Sequence, residues 1–430
     1  MGKQEGLDRA AEPSHIGVVL TPDIRIGVAI EGQFVEVLDV LERIEGQLLQ
    51  ITQHQGLFSK IGDFYGGDGR TTFALPDLRG RTANGDGTGA GLSTLSLAQQ
   101  IGAESVSFDT SNLAPHSHTL PGGGTTSVTG GGTPYNNVQP GLGLNYYIVQ
   151  QGVYPSRSGV LSQDPTIGFV SMSASPFLDP SFTEANGQLL PIAGNDALFS
   201  VIGTIYGGDG RTTFALPDLQ GRTPLGAADQ FGAGLSTGVE TLTMSEASMA
   251  SHDHGLPPSS DTTGATGSGT AVTNMQPTLT LNYLIRTEGT YPSRSGGLDQ
   301  GPYMGEIALF AGNFAPTGWM LADGTLLSIA QHTALFSILG TTYGGDGRQT
   351  FALPDLRGFV ALGAGQGPGL SPWRLGQIGG TTTNSMTLGQ LPSHTHSYTV
   401  PDPQDVPAPV PAGFIVFGLA GLGLARRWAA

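Results

Sequence analysis

The sequence predicts an α+β fold built from three tandem modules, and three observations lead to this prediction. First, the run at residues 65–78 recurs at 206–219 and, with Gln349 as its one change, at 343–356. Second, apolar residues at helical spacing precede each run. Third, a polar segment rich in Thr, Ser and Gly follows each run. Repetition at this spacing indicates one structural unit per copy, each with a short helix, small strands and a Gly/Thr-rich β/loop region.

The third copy shows most clearly how a module begins. Residues 304–311 are apolar enough for a strand. Ser328, with Gln331 three residues later, predicts a capping box at the start of a helix, and Gly340 predicts its end. An apolar helix face is expected in all three copies, at Leu335, Phe336 and Leu339, at Leu57, Phe58 and Ile61, and at Leu198, Phe199 and Ile202.

The repeated Tyr-Gly-Gly-Asp-Gly-Arg loop is rich in glycine but matches no ligand-binding fingerprint. No Lys-Ser/Thr pair follows it, as a phosphate loop requires, and the alternating oxygen ligands of an EF-hand are missing. We interpret the loop as structural, with glycines at positive φ and with Asp and Arg side chains bonded to nearby backbone. The polar segments 121–133 and 258–270 fit either flexible loops or irregular, intertwined fibre strands.

Composition limits the classes of function. The 430 residues carry a formal charge of −16, and only 12% of them are charged. An acidic chain repels phosphate backbones, so nucleic acid is not expected as a partner. The chain has no Cys, which excludes disulfides, thiolate metal sites and cysteine nucleophiles.

Six of the nine histidines form three His-x-His pairs at matching positions of the modules. In an extended segment, residues i and i+2 project to the same side, so both rings of a pair can face one ion. If the modules pack around a pseudo-threefold axis, six nitrogens converge into an octahedral shell; otherwise the pairs lie on separate loops in water. A transition metal ion is the expected cofactor, with Zn or Fe foremost, and its identity stays open. The candidate metal ligands are His116, His118, His252, His254, His394 and His396.

A catalytic use of the same residues is less favoured. A metal hydrolase keeps one ligand position open and places a carboxylate base beside it. Only Asp253 lies within a pair, and Ser117 and Thr395 occupy its counterpart positions. No catalytic residue is therefore predicted. His15, His54 and His332 lie outside the pattern and are expected to be solvated or packed.

The two ends of the chain differ. The N-terminus shows no secretion signal, because its first apolar run, residues 16–20, is too short and charges interrupt the preceding segment. A Pro-rich spacer at 406–412, an apolar stretch at 413–425 and two arginines end the chain. This tail resembles the PEP-CTERM sorting signals of bacterial envelope proteins, which implies transient membrane contact; the alternative is a docked apolar helix.

The glycine run with its Leu-Pro-Asp-Leu-Arg-Gly continuation, the histidine pair and the closing Leu-Asn-Tyr…Pro-Ser-Arg together resemble the phage tail collar family, whose bacterial relatives are often called microcystin-dependent proteins. The second copy departs at Gln220, where the others have Arg79 and Arg357. The resemblance implies a trimeric fibre domain that binds host surface structures and holds a metal between histidine pairs. It covers the chain from about residue 46 to 397.

The modules are assigned as an N-terminal segment at 1–32, module 1 at 33–160, module 2 at 161–300, module 3 at 301–400 and a tail at 401–430. Module 1 lacks a clean opening strand at 33–43, where several charges occur, and module 3 lacks the closing run of the other two. A partner strand from elsewhere is one hypothesis for completing module 1. Because all three copies share one chain, a threefold site can form within a monomer, or modules can pair between chains into a filament.

The prediction is a non-enzymatic structural or adhesive protein at the cell surface or outside a bacterium. It would be metal-stabilised and would contact other copies of itself or surface polymers and glycans. The alternatives are a prophage tail-fibre component that recognises a host glycan, and a metal-dependent envelope enzyme.

Overall fold

The computed structural model describes residues 17–20, 29–30, 33–34, 45–156, 165–176, 180–256, 261–292 and 303–398. The Pro-rich spacer and sorting-like tail at 401–430 lie outside this range, as does most of the predicted degenerate start of module 1. Within the described ranges, none of the helices is both long and apolar enough to cross a membrane.

Short strands dominate the described residues. Module 1 and the segment before it contain β1 (Gly17–Leu20), β2 (Ala29–Ile30), β3 (Gln33–Phe34), β4 (Leu48–Gln50), α1 (Gln55–Ile61), β5 (Thr72–Ala74), β6 (Thr82–Gly85), β7 (Gln100–Ile101), β8 (Tyr135–Asn136) and β9 (Gly141–Val149). Module 2 contains β10 (Phe169–Ser173), β11 (Phe182–Glu184), β12 (Leu189–Pro191), α2 (Asp196–Ile202), β13 (Thr213–Ala215), β14 (Thr223–Gly226), β15 (Ser236–Thr237), β16 (Thr241–Leu242), a 3-10 turn (Glu246–Ser248), β17 (Val272–Thr273) and β18 (Thr278–Arg286). Module 3 contains β19 (Ile307–Phe310), β20 (Trp319–Leu321), β21 (Leu326–Ser328), α3 (Thr333–Leu339), β22 (Thr350–Ala352), β23 (Val360–Gly363), β24 (Ile378–Gly379), β25 (Thr383–Asn384) and a 3-10 turn (Leu388–Gln390).

The fold is mainly β, so the predicted α+β class is not confirmed. Each of the three α-helices among the described residues has only seven residues. Seven residues make about two turns, too few for a helical layer that covers a sheet. Each helix instead lies in the chain between the two strands of a small antiparallel sheet: α1 between β4 and β5, α2 between β12 and β13, and α3 between β21 and β22. Its apolar residues are buried, as Leu335 and Leu339 are in α3.

The predicted capping box at Ser328 is wrong. Ser328 ends β21, opposite Thr350, and its carbonyl accepts hydrogen bonds from the N–H groups of Gln331 and His332. The helix begins five residues later than Ser328, at Thr333, with His332 as an N-cap that makes no side-chain bond. Ser328 therefore belongs to the two-stranded sheet of β21 and β22 and does not cap the helix. Gly340 ends the helix with φ of 58°, as expected.

The last strand of one module joins the first strands of the next. β9 pairs with β10 and β11 of module 2, and β18 pairs with β19 and β20 of module 3. A pairing of Phe169 with Phe310 links these two groups into one ten-stranded sheet. The largest cluster of buried side chains lies along this sheet and contains residues of all three modules.

A ring of backbone contacts connects the three modules. Gly85 pairs with Gln220, Gly226 pairs with Arg357, and Gly363 pairs with Arg79, each in parallel fashion. At each glycine the neighbouring carbonyl oxygen lies so near that an added Cβ would be within 2 Å of it. Module 1 therefore contacts module 2, module 2 contacts module 3, and module 3 contacts module 1, which closes a threefold ring within one chain.

The segment before module 1 supplies a strand to module 3. β6 of module 1 pairs in parallel with β9, and β14 of module 2 pairs in parallel with β18. In module 3 the corresponding strand β23 pairs in parallel with β1. β1 thus takes the position that a closing strand from the same module takes in the other two.

Candidate metal centre

The Thr-rich segments after the histidine pairs fold back on them as narrow hairpins. His116 bridges Thr129, and His252 bridges Thr266, through paired backbone hydrogen bonds of 2.9–3.0 Å. In modules 1 and 2 the second histidine of the pair donates its backbone N–H to a threonine hydroxyl, from His118 to Thr126 and from His254 to Thr263, both at 3.0 Å. The described parts of these segments, 121–133 and 261–270, therefore pair with the histidine segments before them.

Threonine hydroxyls form hydrogen bonds between each hairpin and the histidine segment of another module. The hydroxyl of Thr266 donates to the carbonyl of Ser117 at 3.0 Å, and that of Thr129 donates to the carbonyl of Thr395 at 2.8 Å. The backbone N–H of Ser127 also donates to the carbonyl of Ser397 at 2.8 Å. These bonds bring the three histidine pairs together, although more than 100 residues separate consecutive pairs in the sequence.

All six predicted histidines lie in one cluster. The Nε2 atoms of His116, His252 and His394 form a triangle with sides of 3.2, 3.2 and 3.3 Å. His118, His254 and His396 form a second set of rings next to the first, with ring centroids 4.8–5.4 Å apart between and within the pairs. In two overlapping groups of four, the ligand atoms lie within 4.8 Å of one another: His116, His118, His252 and His394; and His118, His254, His394 and His396.

Hydrogen bonds fix which nitrogen carries the proton in five of the six rings. The Nδ1 atoms of His116, His252 and His394 lie 2.9, 2.9 and 2.8 Å from the carbonyl oxygens of Ala114, Ala250 and Pro392. A carbonyl oxygen only accepts, so each Nδ1 must be the donor, and in a neutral ring Nε2 then keeps a lone pair. His118 and His396 are held alike, by the carbonyls of Gly264 and Ser127.

The lone pairs face an interior without donors. The Nε2 atoms of His118, His254 and His396 are buried, and none has a hydrogen-bond partner. Burial is the main cause that lowers the pKa of His116 and of His254 to about 4. Burial also lowers the pKa of His118 and His252, and the neighbouring imidazoles add to the effect. These lowered pKa values favour the neutral imidazole at His116, His118, His252 and His254 at neutral pH.

Other candidate residues lie elsewhere. His54 and His332 precede α1 and α3 as N-caps without side-chain bonds, and they are not in the cluster. His15 is outside the described residues. Asp253 is exposed, so the one carboxylate within a histidine pair faces solvent rather than the rings.

The glycine loops are structural, as their spacing indicates. In the second copy, Oδ1 of Asp209 accepts the backbone N–H groups of Arg211, Thr212 and Thr213 at 2.8–2.9 Å. The same three bonds recur at Asp68 and Asp346. The hydroxyls of Thr71 and Thr212, followed by the backbone bonds, lower the pKa of the Asp68 and Asp209 carboxyls. At Asp346 the backbone bonds are the main cause and lower the pKa to about 2. The amides that a phosphate would need are thus already used by the loop's own aspartate.

Sequence reasoning missed the residues that position the histidines. The anchoring carbonyls belong to the residue two places before the first histidine of each pair, and the threonines lie in segments classed as low-complexity. One signal was available: a threonine follows the second histidine by eight residues in module 1 and by nine in module 2, at Thr126 and Thr263.

Comparison with known families confirms the repeat. Residues 42–83, 168–224 and 305–361 match the model of the Phage Tail Collar Domain. Each match spans a helix, a glycine loop and the start of the strand that follows the loop, which is β6, β14 or β23, and stops before the histidine pair. No curated protein and no solved structure gives a significant match to the chain.

Proposed function

We propose that this chain is a non-enzymatic structural or adhesive protein of a bacterial surface, in which one polypeptide forms a three-module collar around a metal ion. The collar match supports the coarser part of this proposal, because it indicates a structural protein of the phage tail-fibre type, phage-associated or extracellular. The observation that carries this proposal is the convergence of His116, His252 and His394, one from each module, to 3.2–3.3 Å.

The donor set favours a metal ion over a network of hydrogen bonds. Three Nε2 lone pairs at this distance repel one another unless a cation lies among them, since each ring already carries its proton on Nδ1. Backbone carbonyls that accept from Nδ1 are the usual partners of metal-bound histidines. Neutral imidazoles suit Zn, Fe, Ni and Cu. The ion would be held by His116, His118, His252, His254, His394 and His396.

In this position the ion would act on stability rather than on a substrate. Six histidine rings gather at the centre, and Asp253, the carboxylate within a histidine pair, is exposed. A shell of six imidazoles would leave no ligand position for a substrate and no carboxylate beside the ion. An ion bound by side chains from three modules is held by the folded ring and not by the unfolded chain, so binding adds to folding stability.

The metal proposal is tested with paired substitutions. His252→Ala together with His254→Ala is expected to abolish bound metal and lower the melting temperature by several degrees, because one module then offers no ligands. The matched control is His54→Ala, which removes a histidine without a side-chain bond and should change neither quantity. Metal content by elemental analysis and melting with and without chelator are the readouts. Unchanged metal content in the double variant would refute the site.

The surface role rests on the sorting-like tail in the sequence and on the fibre-type module. Loop-rich faces would contact other copies of the chain or surface glycans, and the tail would hold the protein transiently at the membrane before release to the envelope. Cell fractionation with an antibody against the collar tests this role. Recovery in the envelope or medium of cells without virions supports it, and recovery only in virion particles contradicts it.

The second candidate is a prophage tail-fibre component that recognises a host glycan, and the collar match itself favours it. The same fractionation separates the two candidates, since a tail component would copurify with particles after prophage induction. The third alternative, an envelope enzyme, has no supporting feature at the histidine centre.

A further inference from the structure

We propose that module 2 has an open backbone edge at residues 252–255, and that this edge binds an extended peptide of another protein. The peptide carries a threonine or serine next to a basic side chain. This proposal goes beyond the structural role proposed above, because it names a class of partner and does not depend on a bound metal. Two covered copies of the same edge, in modules 1 and 3, show what the partner must provide.

In module 1, the hairpin of module 2 covers the outer edge of the histidine segment. The backbone N–H of Gly264 donates to the carbonyl of Thr119 at 2.8 Å, and the carbonyl of Gly264 accepts from Nδ1 of His118 at 2.9 Å. Two residues later, the hydroxyl of Thr266 donates to the carbonyl of Ser117 at 3.0 Å. One covering residue therefore makes both backbone bonds, and a threonine two positions on makes the third bond.

In module 3, the hairpin of module 1 makes the same three bonds. The backbone N–H of Ser127 donates to the carbonyl of Ser397 at 2.8 Å, and the carbonyl of Ser127 accepts from Nδ1 of His396 at 2.7 Å. The hydroxyl of Thr129 donates to the carbonyl of Thr395 at 2.8 Å. Both covered edges are thus recognised by one pattern, a residue with a free N–H and C=O followed two positions later by a hydroxyl.

Residues 252–255 of module 2 are the third copy of this edge, and there the three bonds are not made. Within the described part of the chain, no group donates to the carbonyls of Asp253 and Gly255, and Nδ1 of His254 has no acceptor. Asp253 and Gly255 are exposed, and a Cβ added to Gly255 would meet nothing within 4 Å. His118 on the covered edge is 0% exposed, whereas His254 is only half-buried. The open edge therefore has free space and three unused hydrogen-bonding groups.

Segments of this chain do not match the open edge. The hairpins that carry Thr129 and Thr266 are already bonded to modules 3 and 1, so a second copy offers neither of them. The covering residue follows the second histidine by nine residues in module 1 and by ten in module 2, which corresponds to position 405 or 406 in module 3. Two positions further on are Pro407 and Ala408, which have no hydroxyl. The matching pattern must therefore come from another protein.

Charge selects further among peptides. Asp253 lies where the covered edges have Ser117 and Thr395, so the open edge alone carries a negative charge at this position. A lysine or arginine of the peptide would be attracted to it, whereas Asp405 of this chain's own tail would be repelled. Backbone bonds along a strand edge supply affinity, and the side chains supply selectivity. The partner that fits is a basic, extended peptide with a hydroxyl side chain.

A fluorescent peptide tests binding to the full chain. The probe copies residues 125–131, Thr-Thr-Ser-Val-Thr-Gly-Gly, with a lysine added at each end and photo-leucine in place of the valine. Fluorescence polarisation should show saturable binding, and mass spectrometry should find the crosslink within residues 252–255. Two altered peptides leave the protein unchanged. N-methylation of the serine should abolish binding, and valine in place of the threonine two positions later should weaken it about fivefold.

Asp253→Ser gives the open edge the side chain of residue 117 and should weaken binding of the lysine-flanked peptide about two- to fivefold. Asp229→Ser removes an exposed charge at another site and is the matched control, with no change expected.

Three results would overturn the proposal: no saturable binding, a crosslink outside residues 252–255, or equal binding of the N-methylated peptide. A native mass of two chains that falls to one when peptide is added would also overturn it, because a second copy would then be the occupant. Metal content of the same samples is measured in parallel. Bound metal without peptide binding refutes only this proposal, and peptide binding without metal refutes only the metal centre.

Discussion

At the scale of single residues, the modules preserve an interaction even where the sequence changes. Arg79 and Arg357 form two-bond ion pairs with Asp77 and Asp355. Module 2 has Gln220 at this position, and there Arg222 pairs with Asp218 at 2.6 Å. The departure at Gln220 was visible in the sequence. Its compensation was not, because it depends on a turn that brings residues four apart together.

Asp86 provides a prediction at this scale. Ala227 and Ala364 occupy the same place in the other modules. Burial, reinforced by Glu184, raises the pKa of the Asp86 carboxyl to about 6, above its usual value near 4. A raised pKa adds stability only below pH 4, and that contribution is lost as the pH rises towards 6.

Asp86→Asn should therefore stabilise the protein at pH 7 by about 1 kcal/mol, a figure reduced for partial solvent exposure. At pH 4 the gain should vanish, because the native carboxyl is already neutral. Urea unfolding at both pH values measures the difference. An equal gain at pH 4 and pH 7 would show that ionisation is not the cause.

At the scale of elements, residue spacing predicted faces well and boundaries poorly. The apolar helix faces and the structural role of the glycine loop followed from periodicity and from missing fingerprint residues. The predicted capping box was wrong because Ser328 belongs to strand β21, which ends before the helix begins. The Thr-rich hairpins could not be assigned from sequence, since their partners lie in other modules and only those partners make them ordered.

The glycine loop yields a prediction with an internal control. Gly208 has φ of 92°, and an added Cβ would lie 2.4 Å from Cα of Phe214. Gly194 has φ of 85° but open space around its Cβ position. Gly208→Ala should destabilise by about 3 kcal/mol and Gly194→Ala by only about 1 kcal/mol, because both variants strain the backbone but only the first also collides. Chemical denaturation measures both losses in free energy of unfolding. Equal losses for the two variants would mean that the close approach of Gly208 to Phe214 does not matter.

At the scale of the whole molecule, one chain forms the threefold arrangement that the collar resemblance implies for three chains. The repeat and the histidine pairs were enough to predict a threefold centre as one of two arrangements. The completion of module 3 by β1 was not predictable, because the four residues of β1 share no motif with the nine-residue strands β9 and β18 that hold the corresponding position in modules 1 and 2. Register alone, Gly17 opposite Val360, shows the equivalence.

Closure of the ring predicts how the molecule unfolds. Trp319 and Trp373 both lie in module 3, so their fluorescence reports on that module, whereas far-UV circular dichroism reports on all three. Trp428, in the tail, is replaced by Phe to remove its signal. Modules 1 and 2 each contribute a strand to the next module, and all three modules contribute histidines to one cluster, so loss of one module removes contacts from both others. The two probes should therefore give one coincident transition, and chelation should shift both midpoints together. A circular dichroism transition with a phase that fluorescence lacks would show instead that modules 1 and 2 unfold independently of module 3.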